Sequence, residues 1–137
     1  MLDDVVANKV ATIERCIARV REEYRGDPAR LESHTIEDSI VLNLQRACEA
    51  AIELAMRLVS LNRLGVPQES RAAFELLESA GMLDAELSGR MKRMVGFRNI
   101  AVHDDQRLSR PILLAILDER LGDFEAFSRA VVTREGR

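Results

Sequence analysis

Tryptophan is absent, tyrosine occurs once and proline three times among 137 residues. With so few large aromatics, a core has to be filled by Leu, Ile, Val, Ala and Met, the habit of helix bundles with aliphatic seams. Three prolines and seven glycines leave little to interrupt long helices. Two cysteines, Cys16 and Cys48, make no disulfide framework and lack metal-ligand spacing, so each reads as a small core residue in a reducing compartment. The only histidines, His34 and His103, have no ligand-spaced companions, and neither a metal nor a cofactor is expected. The lack of a Gly-rich phosphate loop argues against nucleotide hydrolysis of the P-loop kind. No apolar run approaches the ~20 residues of a membrane span. The acidic opening carries no apolar signal core, so a cytoplasmic location is the simple expectation.

What is present is a balanced globular composition, with 47% hydrophobic and 31% charged residues. A length of 137 residues suits a single domain spanning 1–137. The net charge of −3 argues against general coating of nucleic acid, which needs a concentrated positive surface. It leaves room for a local basic cleft. Between Leu87 and Arg110, Arg90, Lys92, Arg93, Arg98, Arg107 and Arg110 face only Asp104 and Asp105. Charge alone reads more readily as a solvated helix face.

Hydrophobic periodicity predicts an all-α antiparallel bundle of about five helices. The first starts near Asp3 or Asp4 and carries Val6, Val10, Ile13, Ile17, Val20 and Tyr24 on one face. Gly26-Asp27-Pro28 ends it, and a polar stretch from Ala29 to Thr35 follows. The second helix is apolar over a wide arc, with Ile40, Leu44, Ala51, Leu54 and Leu58 on one stripe and Cys48, Ile52, Ala55 and Val59 on another. Such a helix is central to its bundle or packed on a second subunit. Ser70 reads as the cap of a short third helix closed by Gly81, and Asp84 as the cap of a fourth through Leu87, Met91 and Met94. Ser109 and Pro111 mark the start of a last helix whose buried face runs from Ile112 and Ile116 through Leu117, Leu121, Phe124 and Phe127 to Val131. A frayed tail is expected over residues 133–137.

The chemically informative stretch is Gly96 to Asp105. If the fourth helix continues through it, Arg98 returns to within about 20° of the Leu87–Met91–Met94 stripe. A guanidinium there cannot shed its charge and demands an anion or hydrogen-bond partners. Asn99 and His103, four apart, are neighbours on one helix surface, while His103 stands about 140° from Arg98. Taken singly, each has a bland reading: Arg near a helix end pairs with a carboxylate, Asn bonds locally to backbone, and His packs or caps.

Together, Phe97-Arg98-Asn99 followed after three residues by His103 resembles the Arg-x4-6-His motif of HEPN-domain ribonucleases, in the HepT-like form. The resemblance extends over nearly the whole chain. It includes Glu49-Ala50-Ala51-Ile52-Glu53-Leu54-Ala55 in the long helix, Pro67-Gln68-Glu69-Ser70 before a Phe-x-x-Leu helix, and the final amphipathic helix. It implies a HEPN-like fold and a homodimer with two motifs facing each other. It further implies a metal-independent RNA endonuclease, the toxin of a toxin–antitoxin module whose partner is an MntA-type nucleotidyltransferase. The implied roles are proton transfer for His103, charge stabilisation for Arg98 and orientation for Asn99, with a paired subunit adding a second acid/base group. His34, the other histidine, lies in the loop before the second helix on this reading.

The alternative is a non-catalytic nucleotide- or partner-binding HEPN subunit of a nucleotidyltransferase pair. One departure favours it. HepT-like proteins commonly carry Tyr two residues after the motif histidine, the position at which the MntA-type partner attaches adenylate; here it is Asp105. A carboxylate there offers no phenol, favours imidazolium at His103 and competes with substrate phosphate for Arg98.

Overall fold

A computed structural model describes residues 2–103 and 109–135, with the side chains of residues 100–103 outside that description. The described residues form six α-helices and a 3-10 turn (Pro28–Glu32), with no strand. The helices are α1 (Asp4–Tyr24), α2 (His34–Leu61), α3 (Ser70–Ser79), α4 (Ala85–His103), α5 (Arg110–Glu119) and α6 (Leu121–Glu135). The all-α bundle is therefore as expected, with six helices rather than about five.

The extra helix comes from a one-residue break at Arg120 between α5 and α6, where the expected last helix divides. Leu117 and Leu121 keep the apolar spacing across it, so periodicity alone conceals the break. Two further expectations are corrected. The polar stretch after α1 contains the 3-10 turn, which buries Leu31, and the supposed tail is helical through Glu135. That last turn is held by Asn62 Nδ2 donating to Glu135 Oε1 at 3.2 Å and Arg134 Nη1 donating to the Gly81 carbonyl at 3.3 Å.

Helix α1 starts where Asp3 accepts from the Val5 and Val6 amides. The same carboxylate takes a fork from Arg57 on α2, with Nη2 to Oδ1 at 2.7 Å and Nε to Oδ2 at 3.0 Å. Those Arg57 bonds, chiefly, hold the Asp3 carboxyl down at about 2. Lys9 pairs with Glu53 one turn further in, so rising numbers on α1 meet falling numbers on α2, and the two run antiparallel. Their seam is dry: Val6, Ile13, Val20, Leu44, Ala51, Leu54 and Ala55 are wholly buried. Small residues at 47, 51 and 55 let the helices close together.

Helix α3 lies antiparallel on α4, with Glu75 on Lys92 and the Phe74 carbonyl accepting from Ser88 Oγ at 3.5 Å. Phe74 meets Phe127 of α6 edge-on, with ring centroids 5.5 Å apart. Helix α5 packs chiefly against α6. Its far side is tied to the end of α1 by Tyr24, whose hydroxyl donates to Asp118 Oδ1 at 2.7 Å. Burial, then that bond, push the Tyr24 phenol up to about 12. No described helix is long and apolar enough to cross a membrane.

Candidate active site

Helix α4 begins under Asp84, whose Oδ1 accepts from the Leu87 amide at 2.7 Å, and runs unbroken to His103. Continuity places Arg98 on the stripe of the buried Met91 and Met94, as its spacing predicts. Its side chain is only 18% exposed. The partners that such burial demands are both present: Nη2 donates to Ser70 Oγ at 2.9 Å, and Nη1 lies 3.5 Å from Glu49 Oε1 on α2. Nε is buried with no hydrogen-bond partner among the described residues. A buried donor left over in this way is costly unless something else accepts from it.

Ser70 is therefore not the cap expected of it. It occupies the first turn of α3 behind Glu69, makes no cap bond, and turns its hydroxyl to Arg98. Glu49 and Ser70 are site residues that spacing did not reveal. Glu49 stands beside the buried Cys48 at the margin of the apolar arc of α2, and a carboxylate so placed was the available signal. Burial pushes the Cys48 thiol well up, so it stays protonated at neutral pH and offers no nucleophile.

Glu69, Ser70, Arg71, Val95, Arg98 and Asn99 surround a cavity of about 210 Å³. Arg71 lies against α4, its Nε donating to the Lys92 carbonyl at 3.3 Å. Gly96 eases that approach: a Cβ there would stand 3.0 Å from Arg71 Nη2, and the end of the Arg71 side chain would have to give way slightly. Arg71 and the half-buried Asn99 also line a second cavity of about 630 Å³ between α4, α5 and α6. Phe97, Ile112, Ile116 and Phe124 line this larger space, with Arg90, Arg93 and Arg120 also on its wall. Arg90 is neutralised by Glu86 and by the buried Asp123, at 3.3 Å. Arg71, Arg93 and Arg120 have no carboxylate partner among the described residues. Ile112, expected to be buried, is exposed on this wall.

The structure thus brings Arg98 and Asn99 to one cavity. His103 closes the same helix, with its side chain outside the described residues, and Asp105 lies outside them altogether. His34 is the exposed first residue of α2 and not part of the preceding loop. The one tyrosine, Tyr24, is on α1, buried and bonded to Asp118 of α5.

The sequence matches the family described as ribonuclease HepT-like over residues 13–131. An mRNA nuclease HepT from Shewanella oneidensis is 43% identical over 126 residues, 92% of this chain and 95% of that protein. A putative RNase from Archaeoglobus fulgidus is 26% identical over 92 residues, 67% of this chain and 69% of that protein. Among solved structures, a tri-AMPylated Shewanella oneidensis HEPN toxin in complex with MNT antitoxin matches with a TM-score of 0.89 at 42% identity, over 96% of this chain and 99% of that one. A toxin–antitoxin crystal structure with AMP-PNP matches at 0.88, with the same identity and coverage. With a matching order of helices, an Arg-Asn pair at the expected turn of α4 and likeness along almost its full length, this chain belongs to the HepT-like ribonuclease family.

Proposed function

We propose that this chain is the ribonuclease toxin of a toxin–antitoxin pair: a metal-independent endonuclease that cuts RNA at the α4 motif and works as a homodimer. An MNT-type nucleotidyltransferase is its antitoxin, as in the complex that the Shewanella relative forms. The observation that carries this reading is the setting of Arg98. A permanently charged guanidinium is fixed from two sides, keeps one donor without a partner among the described residues, and borders a small cavity with Asn99 and Arg71. A phosphate is the ligand whose oxygens match such a fork.

Attack by the RNA's own 2′-oxygen forms the new P–O2′ bond and breaks the P–O5′ bond, leaving a 2′,3′-cyclic phosphate and a free 5′-hydroxyl. One proton leaves the 2′-hydroxyl and one arrives on the departing 5′-oxygen. His103 is suited to one transfer because imidazole titrates near neutrality. A second copy facing the first across the motif supplies the other. Arg98 stabilises the extra charge on the phosphorane, and Asn99 orients phosphate or imidazole. Asp105 removes the phenol on which adenylate would be placed, so restraint by the nucleotidyltransferase acts here through binding.

The alternative, a non-catalytic partner subunit, is favoured by one contact: Glu49 already occupies one edge of Arg98. RNA incubated with the protein in the presence of a chelator separates the two. The parent should cut and leave cyclic phosphate ends. Arg98→Ala and His103→Ala should each fall by about 10²–10³. Adding the nucleotidyltransferase and ATP should stop cutting without adding adenylate mass to this chain. A folded dimer that leaves RNA intact would establish the partner-subunit reading instead.

A further inference from the structure

The larger cavity between α4, α5 and α6 is not needed to hold a scissile phosphate, yet it shares Arg71 and Asn99 with the cavity that borders Arg98. The two spaces therefore adjoin each other, with Arg71 and Asn99 between them. At about 630 Å³ the larger space falls within the range of small-molecule sites, roughly 300–1,000 Å³. Its lining divides chemically. The largely buried Phe97 and Phe124 form its inner wall, and Ile112 and Ile116 on the α5 side supply more open apolar surface. Arg71, Arg93 and Arg120 add charge that no described carboxylate neutralises, in a chain whose net charge is −3. Apolar surface beside uncompensated guanidinium is what an unstacked base and its phosphate require, because a base offers a π-face and its backbone an anion.

We propose that this cavity is a nucleotide subsite that takes a base of single-stranded RNA next to the scissile phosphate, with Arg93 and Arg120 on the adjoining backbone and Arg71 between the two positions. The inference rests on the ribonuclease reading for its substrate. It adds a residue set outside the family motif, and it requires the RNA to be unpaired at the site, since a base within a duplex keeps its faces stacked. Because charge and shape are supplied by different residues, they can be removed separately.

The test uses the full chain and a fluorescein-labelled, single-stranded 2′-O-methyl oligonucleotide of mixed sequence, which binds without being cut. Fluorescence anisotropy is read for the parent, for Arg93→Ala with Arg120→Ala, and for Ala115→Trp, which fills the cavity from an exposed position on α5. The double variant should bind about tenfold more weakly and flatten the log–log salt slope by about 1.4, the share of two lost phosphate contacts on a single strand. Ala115→Trp should weaken binding to a similar degree with the salt slope unchanged. Parental affinity in both variants would overturn the inference. So would weakening by Ala115→Trp that tracks loss of self-association in sedimentation, which would assign the cavity to a second copy of the chain. Cutting of the matching RNA by parent and Arg98→Ala runs beside this. Oligonucleotide held through the cavity by a protein that does not cut would sink the ribonuclease reading and leave the subsite standing. Arg98-dependent cutting with full binding in both cavity variants would do the reverse.

Discussion

The seam between α1 and α2 and the space between α4, α5 and α6 are built from similar helices and end up as opposites. In the seam, the inward apolar side chains are buried against one another and the charged residues at its margins are paired across it (Asp3 with Arg57, Lys9 with Glu53), so that only a shallower space of about 350 Å³ is left at its edge, beside Lys9 and Glu53. Around α5, apolar residues stay uncovered and arginines outnumber the carboxylates that could answer them. The difference lies in α5, which packs chiefly on α6 and so stands off the helix that carries the motif. One region satisfies itself, and the other is left for something else to satisfy.

Leu54→Ala should break the closed region most severely. The side chain is wholly buried, and its loss should cost about 3 kcal/mol, read as a fall in the urea midpoint with unchanged slope. Tyr24→Phe tests the tie between the regions and should cost about 1.5–3 kcal/mol, the range for a hydrogen bond to a charged acceptor. The folded phenol titrates at about 12, above its ordinary 10.0, so its contribution is complete below pH 10 and disappears as pH rises through 12. The gap between parent and Tyr24→Phe should accordingly be constant from pH 7 to 9 and shrink at pH 11. Ile112→Ser should have the smallest effect, within about 0.5 kcal/mol, because the residue is 45% exposed on the cavity wall. A loss near that of Leu54→Ala would mean that α5 is packed as tightly as the seam.

The bundle was legible because aliphatic spacing and caps agree along α1, α2 and α4, and Asp3 and Asp84 hold the helix starts expected of them. Arg98 was legible for a related reason: a charge that falls on an apolar stripe announces that partners must exist. Their identity was not legible. Glu49 is some fifty positions away in the chain, and Ser70 has a local explanation, capping, that is consistent with its spacing and wrong. The break at Arg120 escaped because the apolar spacing runs straight through it, and with it went the cavity that the break helps to create. Tertiary space is what periodicity does not encode.

The bond from Tyr24 to Asp118 also gives the molecule a built-in optical reporter. With no tryptophan and a single tyrosine, the emission excited at wavelengths too long for phenylalanine comes from one phenol, at the junction where α1 meets α5. A carboxylate accepting the phenol proton quenches that emission, so any ligand that moves α5 is written into the brightness of one residue, without a label and without a competing signal.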